Sequence, residues 1–335
     1  MSNKLEVGGV EVPGRVWIAP MTGVSDLPFR ETATALGAPY VATEMVACAE
    51  FARGRPDVVR RAAVGEGLPL MVVQLVGRDI ELMARGARMA AEAGAEIIDL
   101  NFGCPAKEVS AGQQSGSALM REPDLAEALV AAAVAAVDVP VTVKMRLGWD
   151  DASRNAPELA RRAVSAGARM ITVHGRTRQQ FYKGVADWAA IRAVRAAGDF
   201  PLVANGDIHD LTDARTCLSQ SGADFVMVGR AALGRPWLVG AIGAQLAGRT
   251  VPELTLAQKL AMAREHYEGL LSLMGQAHGV RHARKHLAAY ADDAVASGGV
   301  ADQDQRRILL TSDQPRQVIE ALTHLFSPEY SRAAA

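Results

Sequence analysis

Several apolar, β-rich runs in this chain end in side chains that can carry charge, donate hydrogen bonds or transfer a proton. Each of these residues, taken alone, could have a purely structural role; His174, for example, could be a buried core histidine. Together they predict a functional site where the ends of parallel strands meet. The strand-end residues are Pro20, Met21, Thr22, Gln74, Asn101, Cys104, Lys144, Arg146, His174, Arg176, Asn205, Gly206, Asp207, Gly229 and Arg230.

Cys104 is the most distinctive of them. It follows a buried run that ends at Asn101, in the context Asn-Phe-Gly-Cys-Pro, which delivers a thiol onto a loop. A thiol there can donate a proton or act as a nucleophile, whereas Cys48 and Cys217 lie in helical sequence and suit the buried structural role that is usual for free cysteine. The three cysteines are widely spaced, which argues against disulfides or a structural zinc site and favours a reducing cytosol. We expect no metal in the active site.

The elements that position these residues alternate along the chain. Predicted strands cover 16–19, 40–42, 70–75, 97–101, 141–145, 170–174, 202–205 and 225–228. Predicted helices lie between them at 26–36, 80–93, 125–137, 156–166, 188–197 and 212–220. Strand–helix alternation with short loops predicts a parallel sheet, and eight units fit an α/β fold of the (β/α)₈ TIM-barrel type. A doubly wound open sheet is the alternative, but no Gly-x-Gly-x-x-Gly follows the first strand.

The pattern changes near residue 249. Beyond a Val-Pro-Glu segment the β-rich runs stop, and 256–274, 279–295, 302–310 and 314–326 predict amphipathic helices. We therefore divide the chain into a barrel over 1–249 and a small all-helical domain over 250–335, with a frayed tail at 333–335.

Composition narrows the possible partners. The 335 residues carry a formal net charge of −1, so nucleic-acid binding would depend on local basic patches. No signal peptide is predicted, and the most apolar helical run is too short and too charged to span a membrane. These features predict a cytoplasmic protein without a membrane partner.

Two glycine-containing strand ends indicate a phosphate site. TIM barrels often bind phosphate with the loops after strands seven and eight, and the segments 205–207 and 229–230 have that place and composition. Lys144, at the inner end of strand five, could stabilise the N1–C2=O edge of a reduced flavin, with Gln74 and His174 bonding the same ring. The residues thus point to FMN.

Six ordered blocks make the chain resemble the tRNA-dihydrouridine synthases, most closely the bacterial B-type subgroup. The blocks read APMTGVSDLPFR from residue 19, NFGCP from 101, VKMR from 143, HGRT from 174, ANGDI from 204 and MVGR from 227. An Arg-Lys-His block at 284–286 matches the helical domain of that family. The resemblance runs essentially from end to end.

The resemblance implies an FMN barrel that also uses Pro20, Met21 and Thr22 for the cofactor. It further implies a tRNA-binding helical domain, NADPH as reductant, and reduction of a uridine C5–C6 bond in the tRNA D-loop, with position seventeen suggested by the subgroup. By the same resemblance Cys104 is the proton donor to C5. The substrate residues would then be Asn101 and Arg146 at the uracil edge, with Arg176 beside them.

A basic cluster in the helical domain suits tRNA phosphates. Arg281, Arg284 and Lys285 have the i, i+3, i+4 spacing of one helix face, which His278 extends by a turn. The glycine-rich segment 109–117 is expected to close over the base. Two rivals stay open: an FMN barrel that acts on a free pyrimidine or another small oxidoreductase substrate such as dihydroorotate, and a non-catalytic RNA-binding or regulatory protein that keeps the barrel as a scaffold. No obligate protein partner is evident.

Overall fold

A parallel β-barrel forms the larger part of the molecule. A computed structural model describes residues 4–63, 65, 68–112 and 114–328. Within them, an antiparallel hairpin of β1 (Lys4–Val7) and β2 (Val10–Pro13) precedes an eight-stranded parallel sheet in the order β3-β10-β9-β8-β7-β6-β5-β4. The strands of that sheet are β3 (Val16–Ile18), β4 (Val46–Ala47), β5 (Val72–Val76), β6 (Ile97–Phe102), β7 (Val141–Arg146), β8 (Ile171–His174), β9 (Leu202–Asn205) and β10 (Phe225–Val228).

The sheet closes through the segment predicted as strand two. Val41 bridges to Ile18 of β3, and Ala42 bridges to Val72 of β5, both in parallel. The strand is then interrupted before β4, where the Thr43 hydroxyl accepts a hydrogen bond from the Gln74 N–H at 3.0 Å. A side chain thereby replaces a backbone acceptor of the ladder. The predicted (β/α)₈ fold is confirmed.

Helices cover the outside of the barrel and form the C-terminal region. Six start at an Asp or Thr side chain that accepts a backbone N–H three residues on, as at Asp26 and Asp187. Helical sequence was predicted at Cys48, where α2 begins, whereas the short helices α3 and α9 were not predicted. The helices are α1 (Leu27–Ala35), α2 (Cys48–Ala52), α3 (Pro56–Arg61), α4 (Ile80–Glu92), α5 (Pro123–Ala136), α6 (Ala156–Ser165), α7 (Trp188–Arg195), α8 (Leu211–Ser221), α9 (Leu238–Leu246), α10 (Leu256–Met274), α11 (Gln276–Ala296), α12 (Gln303–Thr311) and α13 (Pro315–Leu325).

Side-chain alternation divides the barrel interior into layers. Near the amino ends of the strands, the inward side chains are apolar, and Trp17 stacks on Tyr40 with ring centroids 4.6 Å apart. Two or four residues further along the same strands, the inward positions are polar, as at Gln74, Asp99 and Lys144. Because successive side chains of a strand alternate between faces, the polar residues share one open end of the barrel.

The helices α10 to α13 enclose a hydrophobic core of their own, which includes Tyr267, Leu287, Tyr290 and Leu322. The predicted domain boundary at 249/250 falls in the connection between α9 and α10. Among the described residues, no helix is both long and apolar enough to cross a bilayer.

Candidate active site

A cavity of about 400 Å³ opens at the carboxyl ends of the barrel strands. That volume suits a small molecule or a cofactor. All of the strand-end residues predicted from the sequence line it: Pro20, Met21, Thr22, Gln74, Asn101, Cys104, Lys144, Arg146, His174, Arg176, Asn205, Gly206, Asp207, Gly229 and Arg230.

The backbone around Cys104 is held from three sides. The Asn101 Oδ1 accepts the N–H groups of Gly103 at 3.0 Å and Cys104 at 2.8 Å. The Ser117 hydroxyl donates to the Cys104 carbonyl at 2.8 Å. Arg146 Nε donates to the Gly103 carbonyl at 2.7 Å. These bonds fix the position of the thiol at the cavity wall.

The surroundings of Cys104 favour the protonated thiol. Burial raises the pKa of Cys104 above its ordinary value, and the nearby charges of Arg146 and Lys144 offset this only in part. A protonated thiol can donate a proton, whereas a nucleophilic cysteine needs a lowered pKa or an adjacent base. The geometry therefore suits a general acid.

A chain of hydrogen bonds orients the polar floor of the cavity. Asp99 accepts bonds from Gln74 Nε2 at 2.6 Å and from Thr142 Oγ1 at 2.7 Å. The Gln74 Oε1 in turn accepts from Asn101 Nδ2 at 2.8 Å. Both ends of the Asn101 amide are thus engaged within the protein, which gives this residue a positioning role in addition to the predicted contact with a base.

Lys144 and His174 supply a buried cation and a neutral imidazole. Burial lowers the pKa of Lys144 to about 8, and its Nζ donates to Asn205 Oδ1 at 3.0 Å. Burial, followed by the charges of Arg146 and Lys144, holds the pKa of His174 well below its usual range. His174 is therefore an uncharged hydrogen-bonding group at neutral pH.

Two buried arginines hold the segment after β8 in place through hydrogen bonds. Arg176 is 2% exposed, and its two Nη atoms donate to Asp207 Oδ1 at 2.9 Å and Oδ2 at 2.5 Å. Arg146 donates to the carbonyls of Thr177 at 3.0 Å and Phe181 at 2.8 Å. Substrate contacts by these arginines stay a prediction, and the structure adds a role in shaping the cavity wall.

Replacement of Asp207 by asparagine is expected to lower the free energy of unfolding by about 3 kcal/mol, because a buried guanidinium loses its carboxylate. The midpoint of urea unfolding measures this effect. Asp151→Asn is the matched control: its ion pair with Arg154 is exposed, and we expect a loss below about 1 kcal/mol. Equal losses in the two variants would contradict a stabilising role for the Arg176–Asp207 pair.

Of the two predicted glycine sites, Gly206 packs closely against protein side chains, and Gly229 leaves room for a ligand beside the backbone. Gly206 has φ +121°, and a Cβ there would lie 2.8 Å from the Ala186 side chain and 2.9 Å from the His174 ring. A Cβ on Gly229 would meet only the Ala19 side chain, at 4.0 Å, so the space beyond it is open. With Arg230 at the rim, this backbone fits a phosphate group, and the Gln74, Lys144 and His174 side chains fit the polar edge of a flavin ring.

Tyr182 is a cavity residue that the sequence analysis missed. Its ring is 45% exposed, with the guanidinium of Arg230 at 4.9 Å and that of Arg146 at 5.6 Å from its centroid. An aromatic side chain between cations offers a stacking surface for a base. The adjacent aromatics Phe181 and Tyr182 in an otherwise polar loop are the signal that could have identified it.

The basic cluster of α11 faces two different cavities. Arg281 and Arg284 line one that also contains Asp313, and Arg284 Nη2 donates to Asp313 Oδ1 at 2.9 Å. Lys285 lines another against the barrel, together with His278. The helical spacing is as predicted, but the three predicted basic residues do not form one continuous surface.

Comparisons with known proteins agree with the geometry. The family model described as "Dihydrouridine synthase (Dus)" matches residues 17–322. A "Probable tRNA-dihydrouridine synthase" of Rhizobium leguminosarum bv. phaseoli is 49% identical over 94% of this chain and 96% of its own length. The "tRNA-dihydrouridine synthase B" of Xanthomonas campestris pv. campestris is 41% identical over 92% of this chain and 95% of its own length.

Two solved structures share the fold at low sequence identity. Histamine dehydrogenase from Rhizobium sp. 4-9 superposes with a TM-score of 0.56 at 12% identity, covering 79% of this chain and 50% of the other. The N189A mutant of morphinone reductase superposes with a TM-score of 0.55 at 17% identity, covering 76% of this chain and 93% of the other.

Proposed function

The chain belongs to the dihydrouridine synthase family, and from this premise we propose that it is a flavin-dependent oxidoreductase that reduces the C5–C6 bond of a uridine in the D-loop of tRNA. FMN is the proposed cofactor and NADPH the proposed reductant. The main support is the arrangement of the cavity, which a protonated thiol, a buried cation and a glycine-containing backbone all line.

Each cavity residue has its own proposed role in this reaction. Bound flavin, when reduced, supplies a hydride for C6 of the pyrimidine. Lys144 would hold the polar edge of the flavin ring, and the backbone of Gly206 and Gly229 would hold its phosphate. Cys104 then gives its proton to C5, while Asn101 fixes the loop that carries the thiol.

The decisive test is turnover on unmodified tRNA. The protein, supplied with FMN and NADPH without oxygen, is expected to form dihydrouridine, which mass spectrometry of nuclease digests detects and places in the D-loop. Parallel reactions with NADH define the reductant. Reduction of free orotate in place of tRNA would overturn the proposal in favour of a small-molecule enzyme, and tRNA binding without flavin would favour a non-catalytic protein.

Arg281 and Arg284 are expected to contact tRNA phosphates. The double variant Arg281→Ala, Arg284→Ala should weaken tRNA binding and reduce the slope of log K against log salt by about 2, because each phosphate contact releases counterions. Filter binding over a range of salt concentrations measures the slope. Arg88→Ala, which removes an exposed charge from α4, is the control. An unchanged slope in the double variant would show that this surface does not bind tRNA.

A further inference from the structure

A buried carboxylate surrounded by imidazoles lies between the barrel and the C-terminal helices. Asp26 precedes α1, and its Oδ2 lies 3.1 Å from His282 Nε2 and 3.2 Å from His286 Nε2. His266 Nε2 lies 3.5 Å from the other carboxylate oxygen. The Asp26, His266 and His286 side chains are each 1% exposed, and His282 is 21% exposed. This cluster takes no part in the proposed reaction.

His282 Nε2 is hydrogen-bonded to the Asp26 carboxylate at 3.1 Å, but other buried nitrogens of this cluster lack such a bond among the described residues. Neither ring nitrogen of His286 has a hydrogen-bond partner there, although its Nε2 is close to the carboxylate, and His266 Nε2 also lacks one. Buried polar atoms are normally paired. Two imidazole nitrogens that lie close to one carboxylate oxygen, one of them without a hydrogen bond, match the arrangement of groups that ligate an ion.

The separations fit a tetrahedral metal. Zinc bonds of about 2.0–2.1 Å to nitrogen and oxygen place neighbouring ligand atoms about 3.3 Å apart. Asp26, His282 and His286 offer one ligand atom each, all within 4.8 Å of one another. The two distances to Asp26 Oδ2, 3.1 and 3.2 Å, are close to the tetrahedral edge.

The chemistry of the ligands selects the type of metal. His282 and His286 lie four residues apart on α11, so their side chains project from the same face of the helix. Two imidazoles and a carboxylate suit zinc better than calcium or magnesium, which prefer oxygen ligands.

An approach from solvent is present. A cavity of about 220 Å³ reaches Asp26 and His282, and Glu44, His278 and Lys285 also line it. It offers a path for the ion and space for a water molecule as fourth ligand.

We propose that Asp26, His282 and His286 bind one zinc ion that fastens α11 to the start of α1. No metal was expected from the sequence, where cysteine spacing was the criterion. The proposed ligands come from two regions separated by more than 250 positions, which the fold brings together. The same ion would stabilise the loop containing Met21 and Thr22, which leads into Asp26 from the main cavity.

Metal analysis tests the proposal directly. Protein produced with added zinc and then desalted is expected to retain one zinc ion per chain. The metal-free protein titrated with cobalt(II) should show the visible absorption bands of a tetrahedral site. Zinc should also raise the Tm of the metal-free protein, because it binds the folded state. Substoichiometric zinc together with a lack of cobalt bands would overturn the proposal.

Two variants locate the ion. His282→Ala, at the most exposed ligand, should lower the affinity for zinc by at least about 100-fold, since loss of an outer-shell partner alone costs 10–100-fold. His278→Ala, one turn earlier and in the same cavity, should leave the affinity unchanged. If both variants weaken zinc binding equally, or neither does, the ion is not held by these residues.

Discussion

Replacement of Cys104 by alanine is expected to slow dihydrouridine formation by about 10²–10⁴ while the protein still binds flavin and accepts electrons from NADPH. The thiol lines the cavity and burial keeps it protonated, so its removal takes away only the proton for C5. Loss of a positioned general acid costs about 10²–10⁴ in rate. Stopped-flow absorbance separates the two half-reactions: flavin reduction should be unaffected, and reoxidation by tRNA should be slowed by that factor.

A matched control uses another cysteine of the chain. Cys217 is completely buried in α8, so Cys217→Ala tests the loss of a thiol far from the cavity, with turnover expected within about twofold. Normal reoxidation of the Cys104→Ala variant by tRNA would remove Cys104 from the mechanism.

The pH dependence provides an independent check. Because burial raises the pKa of Cys104 above its ordinary value of 9.0, the thiol retains its proton throughout the neutral range. In the Lys144→Met variant, which lacks the cation with a pKa of about 8, the rate of reoxidation by tRNA should therefore be constant up to pH 9 and fall only above it. A fall that began near neutral pH would assign the proton to a different group.

Replacement of Lys144 by methionine is expected to reduce turnover by about 10²–10³ and, at the same time, to stabilise the flavin-free protein. The activity falls because a preorganised charge beside the proposed flavin edge is lost. The stability rises because burial makes the charged lysine costly, as its lowered pKa of about 8 shows. The free energy of unfolding at pH 7 should rise by about 1–3 kcal/mol. The loss of the hydrogen bond from Lys144 to Asn205 offsets part of this increase.

The size of this stability effect changes predictably with pH. Below pH 8, both the folded and the unfolded lysine are protonated, and the folded state carries the full cost of the buried charge. Between the folded pKa of about 8 and the ordinary value of 10.5, the folded state loses its proton first, so the cost decreases as the pH rises. The difference in Tm between Lys144→Met and the wild type should thus be largest at pH 7 and shrink towards pH 10.

Arg88→Met is the control for Lys144→Met, since it removes an exposed cation from α4. It should change neither turnover nor the pH dependence of Tm. If Lys144→Met proves less stable than the wild type at pH 7, the buried ammonium is compensated by the groups around it and its role is structural.

Local sequence determined the elements of this protein. Apolar runs with β-branched residues predicted the bounds of most strands to within one or two positions. Helical periodicity predicted the bounds of α10, 256–274, without error. Strand alternation placed Gln74, Lys144 and His174 at one end of the barrel, since parallel strands have a common direction. Strand two was located only in part, because the Thr43 side chain interrupts its ladder. The hairpin β1–β2 was missed, since its strands have only four residues each.

The tertiary structure determined which residues the side chains contact. Spacing alone placed Arg281, Arg284 and Lys285 on one face of a helix, whereas packing against the barrel turns Lys285 away towards Gly23. Asn101 and Arg146 were expected at a substrate, and the fold also commits them to the Cys104 loop. The proximity of Asp26 to three histidines could not be predicted, because periodicity describes neighbours within one element and contains no information on which distant elements pack together.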